Sequence, residues 1–442
     1  MQEYIEFLMK KTKELGAELT DIIAISGSDI SASVRNGEKE NLSSSESSSL
    51  GVRVLIGKKQ ASVSIDGITL NDLELLAERV VSMAKLVPDD KFAGLAPSDL
   101  WSQNILDLDL YDENKPSVTE LYKRALDLEN IALKYDNKIT NSEGADAGYS
   151  SNQIWVANSL GFNHSYKSSF SSISVSVIAS DNDKMERDYA YSSSRHYSDL
   201  KNIKDIGLEA AKRAVERLNP RQPKTGNFPV IFDPRVGKSI LGSFASAING
   251  FSISRGTSFL KNSLNENIFK SDISIIDDPF IKRGLSSRPF DVEGLAGRKM
   301  KIIDNGVLTS WLLDLRSAQQ LGLKPTGHAT RSVSSLPHPT VHNMYIENGN
   351  ISVSDLILDI KEGIYITETF GSGVNLVTGD YSQGASGFWI ENGKITYPIN
   401  EFTIAGKLAD MFKSIKVAND LKFEYSLNTP TFKIDNLTVA GQ

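Results

Sequence analysis

Apolar positions recur along this chain with two alternating periods. Tyr4, Ile5, Leu8, Met9 and Leu15 fall at helical spacing among mixed acids and bases, which predicts an amphipathic surface helix over about residues 3–15. "GVRVLIG" and "KKQASVSID" then alternate as strands do, and the helical period returns from about Asp72 to Val87. The same order comes round again. Ser117 and Glu120 form a capping box, and Leu121, Ala125, Leu128, Ala132 and Tyr135 make an apolar stripe behind it. "NQIWVANSLGFN", "SSISVSVIAS" and "RDYAYSSS" follow as strands, and a helix closes the unit from about Ile203 to Leu218.

The serine-dense runs "SSSESSSL" and "SSFSSISVSV" look like low-complexity sequence. In the second, and directly after the first, Val and Ile alternate with small or polar residues, so half-buried strands are expected. Each unit then reads as an antiparallel sheet with helices over one face and water on the other. This gives an N-terminal α+β domain over residues 1–220, duplicated into sub-units of about 1–95 and 115–220.

"RLNPRQPKTGNFP" has three prolines and a glycine within residues 217–229, and marks a domain boundary. Beyond it, Asn305-Gly306, Asn348-Gly349 and Asn392-Gly393 each sit between alternating apolar runs and predict hairpins. Residues 221–442 are therefore expected to form a β-rich domain, an antiparallel sheet or barrel with a few helices. One helix, about Gly406 to Ile415, turns Leu408, Met411, Phe412 and Ile415 inward. The fold class is α+β.

Composition narrows the function. A chain of 442 residues with 40% hydrophobic and 23% charged residues is that of a folded soluble protein. Its net charge of -7 and the lack of a basic stripe argue against direct nucleic-acid binding. No cysteine is present, which removes disulfides, thiolate metal sites and cysteine nucleophiles. The mixed-charge N-terminus is no signal peptide and no run approaches the length of a membrane span, so a cytoplasmic location is expected.

The segment "FDPRVGKSILGSFASAINGFSISRGTSFL", residues 232–260, has the outline of an active site. Asp233 is a natural helix cap, Pro234 a first helical residue, and Gly250 is placed to end the helix. Ile240, Leu241, Phe244 and Ile248 form an apolar face, so the helix alone reads as a packing element. The loop after it, Arg255-Gly256-Thr257-Ser258, brings charge, backbone access and hydroxyls together. Elsewhere, His338 and His342 are four apart, but Pro337 and Pro339 oppose a helix there. His328 joins them only if the fold brings it near, and the set is an alternative metal site. His164 and His196 show no local constellation. No serine has the flanking glycines of a nucleophile elbow. Glu362 and Glu368 are placed at even spacing on one strand face and read as surface charges.

On these residues the segment resembles the core of the TldD/PmbA family, whose TldD branch carries a His-Glu-x-x-x-His zinc motif a fixed interval before Arg-Gly-Thr-Ser. Counting back from Arg255, the motif's first histidine, glutamate and second histidine fall on Leu241, Gly242 and Ser246. "GDYSQGASGFWIENGKITYPINEFTIAGKLADMFKSIKVANDL", residues 379–421, is similar to the C-terminal signature of the PmbA (TldE) branch. The resemblance implies a subunit of a two-component cytoplasmic zinc metallopeptidase acting on short or unfolded peptides. Zinc would be bound by a TldD-type sibling and none by this chain. Arg255, Gly256, Thr257 and Ser258 would line the peptide cleft or the partner interface, no residue of this chain would be catalytic, and modulation of DNA gyrase would be indirect. Two alternatives stand beside it: a homodimeric, non-catalytic peptide-binding protein, and an independent metal hydrolase using His328, His338 and His342.

Overall fold

The two similar halves of the N-terminal pattern build one sheet rather than two. The computed structural model describes residues 1–67, 69–371 and 373–442, the side chains of 70 and 71 aside. Six antiparallel strands run in the order Lys59–Asp66, Glu38–Ile56, Leu19–Arg35, Ile139–Asn158, Asn163–Asp181, Lys184–Ser194. The halves join where Leu19–Arg35 pairs with Ile139–Asn158, from Asp21 opposite Asn158 to Val34 opposite Ala145.

Side chains alternate along a strand, so every second residue of Leu19–Arg35 meets the helical layer. Ile22 and Ala24 pack under helices Gln2–Glu14 and Leu70–Leu86, while Ile30, Ala32 and Val34 pack with helices Val118–Leu133 and Ile203–Glu216. Between these apolar stretches stand Ser26 and Ser28, bonded to Ser48 at 2.9 Å and to Ser151 at 3.2 Å. The serine runs are strands, as expected, and the second carries Ile173, Val175 and Val177 under the second helix pair. The capping box of Ser117 and Glu120 forms. Tyr135 leaves the predicted stripe, because the helix stops at Leu133 and the ring is exposed.

In the second half five strands close a barrel. Gly226–Phe232, Phe432–Ala440, Lys394–Lys407, Asp380–Glu391 and Glu362–Phe370 follow one another, and the last returns to the first by the ring's one parallel pairing. Phe232, Ile364, Ile366, Trp389, Ile404 and Phe432 belong to the core, which Ile240, Leu241 and Phe244 of helix Pro234–Ala247 also join. A second sheet lies beside it and includes Ile275–Asp278 and Asn343–Ile346.

Asn305-Gly306 and Asn392-Gly393 turn hairpins with both residues at positive φ, as the two-residue turn requires. Asn348-Gly349 does not. Gly349 donates its N–H to Ala418 O at 2.8 Å, and a Cβ there would lie 2.0 Å from Val417 O, so this glycine serves a close approach of two backbones. Helix Leu408–Ser414 buries Leu408, Met411 and Phe412 as its period implied, with Ile415 buried just after it. Among the described residues no helix is long and apolar enough to cross a membrane.

Candidate functional site

Asp233 caps helix Pro234–Ala247 by accepting the Arg235 N–H at 2.9 Å. Gly250 does not end it. The helix stops at Ala247, Asn249 caps a second short helix, Gly250–Ser254, and Gly250 is its first residue. A Cβ on Gly250 would come within 2.6 Å of Ser317 Oγ, so glycine is there for packing.

Leu241 is 2% exposed and part of the core. One turn further, Ser246 is exposed and spends its hydroxyl on Gly242 O at 2.9 Å, as Ser243 does on Ser239 O. This stretch of helix offers neither imidazole nor carboxylate. In the loop that follows, Arg255 is exposed with its guanidinium 4.4 Å from the Phe251 ring centre, and Gly256 takes φ +72°. Thr257 is exposed and bonds Ser252 O through both N–H and hydroxyl. Ser258 is 1% exposed, donates to Ala247 O at 2.6 Å and accepts from Leu260 N–H. Arg255 and Thr257 thus face solvent, and Ser258 ties the loop to the helix.

Imidazole and carboxylate meet elsewhere. Asp277, His328 and His342 bring one nitrogen or oxygen each within 4.8 Å of one another, all buried. Asp277 Oδ2 lies 2.7 Å from His342 Nδ1 and 3.0 Å from His328 Nε2, and Oδ1 accepts the His342 N–H at 2.9 Å. Thr326 Oγ1 meets the other side of His328 at Nδ1, 2.8 Å away. Burial would push the Asp277 carboxyl up, but the bonds from His328 and His342 outweigh it and hold it well below the usual carboxylate range. Burial, and next the Arg288 guanidinium, push His342 down to about 4.

Two imidazoles and a carboxylate are a donor set zinc accepts at about 2.0–2.2 Å, which would part neighbouring donors by roughly 3.3 Å in a tetrahedron. Here one oxygen receives both rings at hydrogen-bonding distance. Nearby, the buried Arg288 Nε and Nη2 lack partners, and their charge opposes a divalent ion. As arranged here, the group is a hydrogen-bonded cross-link between three chain segments, with the Arg288 charge set against a divalent ion. His338 stands apart from it, exposed, with only Leu336 O at 3.4 Å. The alternative trio of His328, His338 and His342 is therefore corrected to a pair of histidines with an aspartate that the sequence did not single out.

Two other expectations change. A bulge between Ile366 and Glu368 breaks the even spacing, so Glu362 stays outside on Lys224 while Glu368 enters a buried ion network with Arg217. His196 is 9% exposed and holds the backbone oxygen of Asp109 at 3.0 Å and its carboxylate at 3.2 Å, a constellation made across 87 residues.

A cleft opens between the last strand of the six-stranded sheet and the N-terminal end of helix Pro234–Ala247. It has a volume of about 280 Å³, and a neighbouring hollow of about 460 Å³ shares Arg213, Asp233, Arg235 and Tyr365 with it. Arg235 is fixed by two bonds to Asp188, 2.7 and 3.2 Å, and by Thr367 O. Tyr189, Tyr191 and Tyr425 line one side.

Family models match in three consecutive pieces: PmbA/TldA metallopeptidase domain 1 at residues 20–84, the central domain at 111–218 and the C-terminal domain at 225–441. The chain is 36% identical over 414 residues to metalloprotease PmbA of Escherichia coli O157:H7, covering 93% of this chain and 90% of that one. It is 34% identical to a metalloprotease PmbA homolog of Haemophilus influenzae, across 100% of this chain and 96% of the relative. In structure it is similar to a Bacteroides thetaiotaomicron protein named for modulation of DNA gyrase, with a TM-score of 0.92, 25% identity and coverage of 100% and 99%. TldE from Thermococcus kodakarensis superposes with a TM-score of 0.86 at 22% identity, covering 99% of this chain and 100% of that chain.

Proposed function

Since this chain belongs to the PmbA/TldD metallopeptidase family, we propose that it is the PmbA/TldE-type subunit of a two-component peptidase, completing the cleft of a zinc-bearing TldD-type sibling. One observation carries the reading: at Leu241, Gly242 and Ser246 the chain has a core side chain, a hydrogen atom and a self-bonded hydroxyl. Zinc hydrolysis needs ligands, a bound water and a general base, which the sibling supplies. The Arg255–Ser258 loop stays intact beside these positions, with Arg255 and Thr257 outward and Ser258 beneath them. The assembly takes short or unfolded peptides in extended form and works in the cytoplasm; an effect on gyrase is indirect. The chain, with an N-terminal unit to residue 220 and a C-terminal unit from 221, supplies the wall opposite the sibling's.

The test is reconstitution. Purified alone, the chain hydrolyses no unfolded peptide; mixed with a sibling carrying His-Glu-x-x-x-His, the pair does, and a chelator stops it. Chelator-sensitive cleavage by this chain alone overturns the proposal. The independent hydrolase is disfavoured because His328 and His342 are sealed from solvent and His338, exposed, is not among the ligand atoms that cluster with them.

A further inference from the structure

The cleft beside helix Pro234–Ala247 is lined by four basic and four acidic side chains, so its charge alone selects nothing. Hydrogen-bonding capacity does. Every acid of the lining is already engaged. Asp233 accepts from Arg235 N–H and the Tyr365 hydroxyl, each at 2.9 Å. Asp420 accepts from Thr431 N–H at 2.8 Å and its hydroxyl at 2.7 Å. Glu424 pairs with Lys201 at 2.8 Å, and Glu209 with Arg213 at 2.5 Å.

The donors are not used up. Lys422 is exposed at the rim, with no carboxylate in ion-pair contact among the described residues. Lys238, one turn into the helix, is not itself a lining residue but touches two that are: it donates to the Tyr191 hydroxyl at 2.7 Å and lies 3.7 Å from the centre of the Tyr425 ring, with no carboxylate in contact among the described residues. An ammonium has three donors, so both lysines hold capacity in reserve. Thr429 is 2% exposed, lines the cleft, and its hydroxyl has no partner. A buried polar atom left unpaired is costly unless something meets it. Beside these donors stand the rings of Tyr191 and Tyr425, centres 5.6 Å apart, and Tyr189, stacked on Tyr191 at 6.1 Å, with Lys238 over the first two and Arg235 over the third.

We propose that this cleft binds the C-terminal carboxylate of a peptide, with Lys238 and Lys422 on the carboxylate, the Thr429 hydroxyl on the last peptide group, and the tyrosine surface under the neighbouring side chain. A simple anion would satisfy the lysines but leave the aromatic wall unused. The inference deepens the peptide-handling reading above and rests on it for the class of ligand. It makes this chain the subunit that senses where a substrate ends.

Fluorescence anisotropy on the purified full chain tests it, with a labelled tetrapeptide Ala-Ala-Phe-Ala as the free acid and as the C-terminal amide. The acid binds about tenfold more tightly than the amide, the worth of one or two hydrogen bonds to a charged group. Lys422→Ala, a surface change that leaves folding untouched, and Lys238→Met each remove most of that preference while affinity for the amide stays. Equal affinity for acid and amide overturns the proposal, as does failure of both to bind at millimolar concentration. Displacement of the acid by inorganic phosphate at the peptide's own affinity also overturns it, since that marks a site for any anion. No sibling is present in this experiment, so a chain that prefers the acid yet activates no sibling refutes only the two-component reading, and the reverse result refutes only this one.

Discussion

The positions Leu241, Gly242 and Ser246 of helix Pro234–Ala247 and the cluster of Asp277, His328 and His342 stand in the same half of the chain and are opposites. The first lies where solvent reaches Ser246 and the adjoining loop but carries no group able to bind a metal or move a proton. The second holds two imidazoles and a carboxylate, each no more than 1% exposed, and saturates the carboxylate with their bonds. The first has access without reactive groups, as the proposed second wall of a sibling's cleft requires; the second has reactive groups without access and braces three chain segments. Residue type alone would rank the two the other way round.

The difference can be pressed hardest at Asp277. Asp277→Ala leaves two imidazoles and the His342 N–H without an acceptor in a sealed interior, and urea denaturation should register a loss of about 3–5 kcal/mol. A chelator should leave the melting temperature of the native chain unchanged; a chelator-induced drop would mean that the cluster holds an ion after all. Next comes pH. His342 is pushed down to about 4 in the folded chain from an ordinary 6.5, so between those values the unfolded chain takes up a proton that the folded one refuses. Stability is full above pH 6.5 and falls as pH drops towards 4, by up to about 3 kcal/mol. His342→Asn, which keeps a donor towards Asp277 and does not titrate, should flatten that slope.

The two sides of the helix should respond as packing does. Leu241→Ala opens a cavity in the core and should cost about 2–3 kcal/mol in denaturant unfolding. Ser246→Ala removes only a hydroxyl bonded to its own helix and should stay within about 0.5 kcal/mol. A large loss at Ser246 and none at Leu241 would invert the assignment of inner and outer faces.

Much of this was legible in the chain because periodicity is local. The capping box at Ser117, the hairpins at Asn305-Gly306 and Asn392-Gly393 and the strand character of the serine runs follow from neighbours a few residues apart. The roles of His328 and His342 were half legible, as histidines worth weighing. Their partner was not: Asp277 lies 51 and 65 residues before them, and only the pairing of Ile275–Asp278 with Asn343–Ile346 brings it to His342. Glu368 was misplaced by a single-residue bulge, which inverts a face and leaves no mark in composition. The cleft is less visible still, since Tyr189, Arg235, Tyr365 and Tyr425 come from four separated stretches.

The strand Phe432–Ala440 sits inside the ring, between Gly226–Phe232 and Lys394–Lys407. Its neighbour Gly226–Phe232 is made some two hundred residues earlier. During synthesis the ring therefore stays unclosed, with apolar edges bare, until the very last stave has cleared the ribosome. Helper proteins that shield nascent chains would have their work concentrated in that interval, and a ribosome stalled short of residue 432 would release a product with an unsealed seam.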